Sequence, residues 1–178
     1  MRTQQLWFIL LFAATTLVGC SGAATSGPST VGQAILLSEE PAGCEGIDDL
    51  KSSMLTGLSA DGTAVLVGRV GGGDNETWDP DKAAFLVSDL ALKIEKHDDA
   101  HGDTGHDDCA FCQAAKEKAL ESMALVQIVD DSGKVIPTDA RQLLGLADGQ
   151  VIVAEGQGAL EDGTLVFNAK KVFVRPSS

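Results

Sequence analysis

Short runs of branched apolar residues alternate with turn residues from Ala64 to the end of the chain. Val, Ile, Leu and Ala dominate five of these runs, which predicts five β-strands. The predicted strands are Ala64–Val70, Ala83–Val87, Leu125–Val129, Val151–Ala154 and Leu165–Val174. Because Asp162-Gly163 separates the last two runs, these two strands are expected to form a hairpin.

Two further elements are expected outside the strands. Residues Thr138–Leu144 have the composition of a short helix, with Thr138 or Asp139 as its cap and Gly145 as its stop. Nearer the start, Ala34–Leu37 is a short apolar run closed by polar and turn residues up to Cys44, which predicts a strand and turn leading into the domain.

The order of three strands, a short helix and two strands resembles the OB-fold over about residues 60–175. Val67–Val70 and Ala84–Asp89 are similar to the first two strands of OB domains. The predicted fold class is therefore mainly β: a small antiparallel OB-like five-stranded barrel with a short helix and an insertion at about residues 90–124, between strands 2 and 3. Another small antiparallel barrel or sandwich is the alternative.

The first residues have the parts of a secretory signal. Arg2 precedes an apolar run from Leu6 to Val18 that is too short to span a membrane comfortably. The exit, Leu17-Val18-Gly19-Cys20, resembles the lipobox of bacterial lipoproteins, which implies cleavage before Cys20 and lipidation of its sulfur. An ordinary signal with a chance cysteine is the alternative.

This resemblance sets the predicted domain organisation. Residues 1–19 form a signal peptide, 20–33 a flexible tether of small polar residues, and 34–178 a single β-rich domain. Because Ser21 is not aspartate, the resemblance to lipoproteins implies an outer-membrane protein facing the periplasm, with the bilayer as partner through acylated Cys20.

The net charge of the chain bears on which partners it can bind. The chain has 13 basic and 26 acidic residues, a net charge of −13, and removal of Arg2 with the signal makes it −14. Such a surface repels phosphate backbones. Phe85, Phe167 and Phe173 lie within apolar strand runs, where core packing is expected, so few aromatics are left for base stacking. Nucleic acid is excluded as a partner.

Metal-binding residue types are concentrated between strands 2 and 3. All three histidines of the chain, His97, His101 and His106, occur there with two of its four cysteines, Cys109 and Cys112. Thiolates and imidazoles are the usual zinc ligands. The spacing His-x-x-Cys-x-x-Cys places His106 and both cysteines on one face of a turn, and residues 113–124 favour a helix whose start stabilises thiolates.

The sequence leaves the rest of the site open. The fourth ligand is His97, His101 or Cys44, and zinc is favoured over another transition metal such as copper. Calcium fits less well because the aspartates do not follow the EF-hand spacing. Covalent haem is excluded because Gln113 stands where its motif requires histidine.

Two other interpretations of the cysteine pair remain. Cys109 and Cys112 could form a structural disulfide, which suits an exported protein, or a redox pair at a helix start. The strands, the cysteine insertion and Glu39-Glu40-Pro41 together resemble uncharacterised envelope lipoproteins. The expected function is thus a non-enzymatic, metal-binding envelope lipoprotein. The alternatives are an envelope thiol-disulfide protein and a purely structural lipoprotein with a protein partner.

Overall fold

A computed structural model of the protein describes residues 27–56, 63–73, 75–92 and 117–176. Three helices are labelled here α1 (Thr30–Ile35), α2 (Ile47–Leu55) and α3 (Ala140–Leu144). The five strands are β1 (Thr63–Val70), β2 (Ala84–Ser88), β3 (Met123–Ile128), β4 (Val151–Glu161) and β5 (Thr164–Val174). A helical turn at residues 117–121 precedes β3.

The five strands form one sheet that closes on itself in the order β1-β2-β3-β5-β4, with β4 returning to β1. Four of the five strand pairs are antiparallel, and β3 and β5 run parallel. The expectation of a wholly antiparallel sheet is therefore wrong. A parallel pair needs a long connection, and the segment from β3 through α3 and β4 supplies it.

Four of the predicted strands agree with β1, β2, β3 and β5 to within two residues at each end. The fourth is much longer than the predicted Val151–Ala154, because β4 extends to Glu161 along β5. The second half of β4, Glu155–Glu161, contains two glycines and three polar residues. A prediction based on apolar runs therefore ends the strand too early. A register shift at Glu155/Gly156 lets the strand bend while it keeps this pairing.

The β4–β5 hairpin is turned by Asp162 and Gly163, as predicted. Both have positive φ, +48° and +82°, as a two-residue type I′ turn requires. The predicted helix between the third and fourth strands is α3. The Asp139 carboxylate accepts a hydrogen bond from Arg141 N at 2.7 Å, and Gly145 ends the helix with φ +72°.

The expected strand at Ala34–Leu37 is wrong. Residues Thr30–Ile35 form α1 instead, and the Ser29 hydroxyl caps it by accepting from Gly32 N at 3.0 Å. Only the following residue, Leu36, bridges to β5, at Val172. The strand prediction did not take into account that Ser29 can cap a helix. Helix α1 also includes Thr30–Gln33, the last residues of the segment that was expected to be a tether.

Helix α2 was not predicted. Its apolar positions are sparse: Ile47 and Leu50 are buried and Met54 is partly buried against the same core. The helix packs on β1. Just before it, Glu45 forms an isolated bridge to Leu66 beside the part of β1 that β2 does not reach.

The core lies inside the closed sheet. Phe85 and Phe167, expected to pack there, are 1% and 0% exposed, whereas Phe173 is only partly buried. The ring of Trp78 packs on Phe85 with centroids 5.6 Å apart. Buried residues from α1, α2 and α3 join the same core, so these helices cover the sheet as parts of one domain.

Candidate functional site

The predicted ligands His97, His101, His106, Cys109 and Cys112 lie outside the described residues, as does Cys20. Among residues 27–56, 63–73, 75–92 and 117–176, no group of three or more His, Cys, Asp or Glu side chains is placed to hold a metal ion. The structure does describe both ends of the insertion that contains these residues, at Asp89 and Ser122.

The two ends of the insertion meet at the ends of β2 and β3. Asp89 directly follows β2, and Ser122 directly precedes β3. Asp89 N donates to Ser122 O at 2.9 Å, which continues the β2–β3 ladder by one more backbone bond. The insertion therefore begins and ends at adjacent points, and the closed sheet does not depend on it for the pairing of these strands.

The Asp89 carboxylate joins this base to α2. Asp89 Oδ2 accepts from Ile47 N at 2.7 Å, and Oδ1 accepts from Ala91 N at 2.8 Å. The residue at the cap position of α2, Gly46, has no side chain for this task. A carboxylate from another part of the chain thus satisfies the free N–H groups of the helix, where negative charge is favourable.

Gly46 makes room for this contact. A Cβ at position 46 would lie 2.7 Å from Asp89 Oδ2, so a larger residue would displace the carboxylate. Asp89 is 9% exposed and therefore nearly buried. Sequence reasoning treated Asp89 only as the end of a strand. One feature of the sequence hints at the role of Asp89. Asp48 and Asp49 are typical of a helix start, but the residue before the helix has no capping side chain, so the cap must come from elsewhere in the chain.

The returning end of the insertion is also held to α2. The Ser122 hydroxyl donates to Asp48 Oδ2 at 3.1 Å, and Lys51 Nζ donates to Glu121 O at 2.5 Å. Ser122 is 6% exposed. With Asp89, these contacts hold both ends of the insertion against one helix.

Cys44 lies in a different polar environment. It is half-buried and forms no disulfide within the described residues, and its Sγ is 4.0 Å from Arg175 Nη2. That guanidinium pairs with Glu40 through Nε to Oε2 at 3.1 Å and Nη2 to Oε1 at 2.5 Å. The hydrogen bond from Arg175 holds the pKa of Glu40 below its usual value of 4.5.

This neighbourhood bears on Cys44 as the fourth ligand. A guanidinium beside the sulfur repels a metal cation, and the Glu40 carboxylate is already paired with that guanidinium. Cys44 also lies on the segment that leads into α2, three residues before Ile47. Cys44 is thus close in sequence to the helix that holds both ends of the insertion, but the neighbouring guanidinium disfavours a bound cation at its sulfur.

No helix among the described residues is long and apolar enough to cross a membrane. The described residues hold both ends of a polar insertion beside the closed sheet, and they contain no group of metal-binding side chains of their own. Comparison of the chain with protein-family models, with curated proteins and with solved structures gives no match.

Proposed function

We propose that the protein is a non-enzymatic lipoprotein of the cell envelope that binds a transition metal, zinc above all, through the insertion between β2 and β3. One observation carries this proposal: all three histidines and two of the four cysteines of the chain fall within residues 97–112. A segment this polar has no use in a core, and its side chains are the donors that zinc and copper prefer.

His106, Cys109 and Cys112 are the proposed ligands, with His101 or His97 as the fourth. The guanidinium of Arg175 beside Cys44 weighs against the third candidate. Both cysteines must lose a proton to bind, so two thiolates would offset the charge of a divalent ion. A tetrahedral site with two sulfurs and two imidazoles is one of the usual structural zinc sites.

The anchor is proposed at Cys20, with the mature protein on the outer membrane and facing the periplasm. Support comes from Leu17-Val18-Gly19-Cys20 and from the apolar run before it. Several acyl chains on one cysteine hold a protein firmly without a spanning segment.

An OB-like fold is proposed for the domain. It is supported by the five strands, by the closure of the sheet through β1 and β4, and by a short helix between the third and fourth strands. This relationship implies no ligand, because a strongly acidic chain lacks the basic groove that nucleic acids require.

The anchor is tested with Cys20→Ala. The variant should lack lipid and remain uncut, while the mature wild type should enter the detergent phase on phase partitioning. A mature wild type that carries no acyl chain by mass spectrometry and stays in the aqueous phase would refute the anchor.

Metal binding is tested by competition with a chromophoric chelator on the soluble domain beginning at Ser21, made without a His-tag. Cys109→Ser and Cys112→Ser should each weaken zinc binding by at least about a hundredfold, since each removes one of few ligands. His97→Ala should matter less, and Cys44→Ser is the matched cysteine control. Affinity should fall as the pH drops through the histidine and thiol range, because protons compete for the same atoms.

A structural or redox disulfide between Cys109 and Cys112 is the competing function. It predicts a bridge in protein isolated from the envelope, no free thiols at these positions and no stoichiometric metal. Thiol counting before and after removal of metal, with the bridge located by mass spectrometry, separates the two.

A further inference from the structure

The chain is attached to the domain from Ser29 onward, nine residues after Cys20, the proposed site of the lipid. Ser29 N donates to Leu143 O at 3.0 Å, at the last turn of α3. At the far end of α1, Leu37 N donates to Val172 O on β5 at 2.8 Å. Helix α1 is therefore attached at both ends, and its orientation on the domain is set.

The fit of α1 against α3 is close. A Cβ at position 32 would lie 1.7 Å from Leu143 O, so only glycine permits this packing. Gly32 and Ile35 form the buried side of the helix, and Val31 lies on the outer side with 57% of its surface exposed. Val31 is therefore the large apolar side chain on the outer side of α1.

The free chain between the lipid and α1 is short. Seven residues, 21–27, separate Cys20 from Pro28. Seven residues cannot span more than about 25 Å even when fully extended. The polar layer of a bilayer is itself several ångströms deep. Of the described elements, α1 is the one that this connection holds nearest to the lipid.

The charge distribution along this part of the chain agrees. Residues 21–38 contain no charged side chain, in a chain whose net charge is −13. An acidic protein on an anionic lipid surface is repelled wherever its carboxylates approach the phosphates. Because residues 21–38 carry no charge, α1 itself has no carboxylate that anionic lipid phosphates would repel. One cation lies beside the helix, since Lys171 Nζ donates to Ala34 O at 2.7 Å.

We infer that the outer face of α1, with Val31 at its centre, rests in the headgroup layer of the bilayer to which Cys20 is anchored. The lipid and α1 thus form a two-point attachment that fixes which side of the domain meets the membrane. This inference rests on the proposed lipidation of Cys20. Its partner is the lipid headgroup layer and not a second protein.

The experiment compares two single substitutions in the lipidated, full-length mature protein. Val31→Trp reports on α1, and Leu55→Trp is the matched control, because Leu55 is 78% exposed at the last residue of α2, a helix that packs on β1. Each protein is placed in vesicles of phosphatidylethanolamine and phosphatidylglycerol, with and without acyl chains brominated near the headgroups. The wild type supplies the background from Trp78.

The added fluorescence of Val31→Trp should shift to the blue, and bromine should quench it at least about twofold more than that of Leu55→Trp. Equal quenching at the two positions would overturn the inference while leaving the anchor intact. A blue shift at position 31 without quenching would mean that protein covers α1, and would also overturn it. Mass spectrometry of the same sample shows the acyl chains; if they are missing, the anchor and this inference fail together.

Discussion

At the scale of single residues, Asp89 connects the start of α2, the base of the insertion at Ser122 and the turn at Ala91. Its carboxylate satisfies the first N–H group of α2, its backbone N–H closes the base of the insertion on Ser122, and its second oxygen accepts from Ala91 N. A nearly buried carboxylate in this position is expected to stabilise the fold, because its loss leaves the N–H of Ile47 without a partner.

Asp89→Ala should therefore lower the free energy of unfolding by about 1–3 kcal/mol. Asp89→Asn keeps one acceptor oxygen and should cost less. Urea denaturation followed by circular dichroism measures both, and the exposed Asp131→Ala is the control, with a change within about 0.5 kcal/mol. An Asp89→Ala variant as stable as wild type would remove Asp89 from this role.

Asp139 gives the fold a pH dependence in the acidic range. The hydrogen bond from the Arg141 side chain lowers its pKa from the usual 3.8, and Asp139 also caps α3. Because the folded-state pKa is lowered, the carboxylate contributes stability that is present above the unfolded value and is lost as the pH falls through the folded value.

The stability difference between wild type and Asp139→Ala should be about 1 kcal/mol at neutral pH. It should shrink as the pH falls below about 4. Arg141→Met removes the largest cause of the lowered pKa and keeps the hydrogen bond from the backbone N–H, so it should reduce the same pH dependence. Thermal unfolding across this range measures it, and a difference that stays constant into strong acid would contradict the account.

The elements show which parts of this fold a sequence pattern reveals. β1, β2, β3 and β5 are runs of apolar residues with turn residues between them, and α3 has a cap and a glycine stop, so each was predictable. The second half of β4 was not, because its register comes from pairing with β5 and not from its own composition.

Helices α1 and α2 were missed for two reasons. The cap of α2 is Asp89, which lies 42 positions away from Ile47 in the chain, so a local pattern does not contain it. Helix α1 has a local cap in Ser29, but it also depends on contact with Leu143, which lies 114 positions from Ser29. For residues 97–112, by contrast, the histidines and cysteines are conspicuous in the sequence, although these residues lie outside the described ones.

Gly32→Ala tests the packing of α1. The added methyl group has no room beside Leu143 O, so the helix must shift, at a cost of about 1–3 kcal/mol. Gly27→Ala is the matched control, since nothing lies within 4 Å of a Cβ there. Urea denaturation compares the two. If both variants match wild type, α1 does not pack as described.

At the scale of the whole molecule, the closed sheet and the insertion are expected to be independent. The sheet closes through β1 and β4, and the base of the insertion closes through Asp89 and Ser122. Removal of metal with a chelator should therefore shift the melting temperature by less than about 2 °C. A large loss of the folded signal on chelation would make the metal structural and overturn the independence of the two parts.

The central claim is that the insertion binds a transition metal, and the metal content of the protein tests it most directly. The soluble domain from Ser21 onward, secreted to the periplasm and purified without a tag or chelator, is analysed by elemental mass spectrometry beside Cys109→Ser, Cys112→Ser and Cys44→Ser. We predict a metal-to-protein ratio of about one, with zinc as the main metal, for wild type and Cys44→Ser, and a loss of most of it in the other two variants. Wild-type protein without stoichiometric metal, in which Cys109 and Cys112 are joined by a disulfide, would contradict the claim.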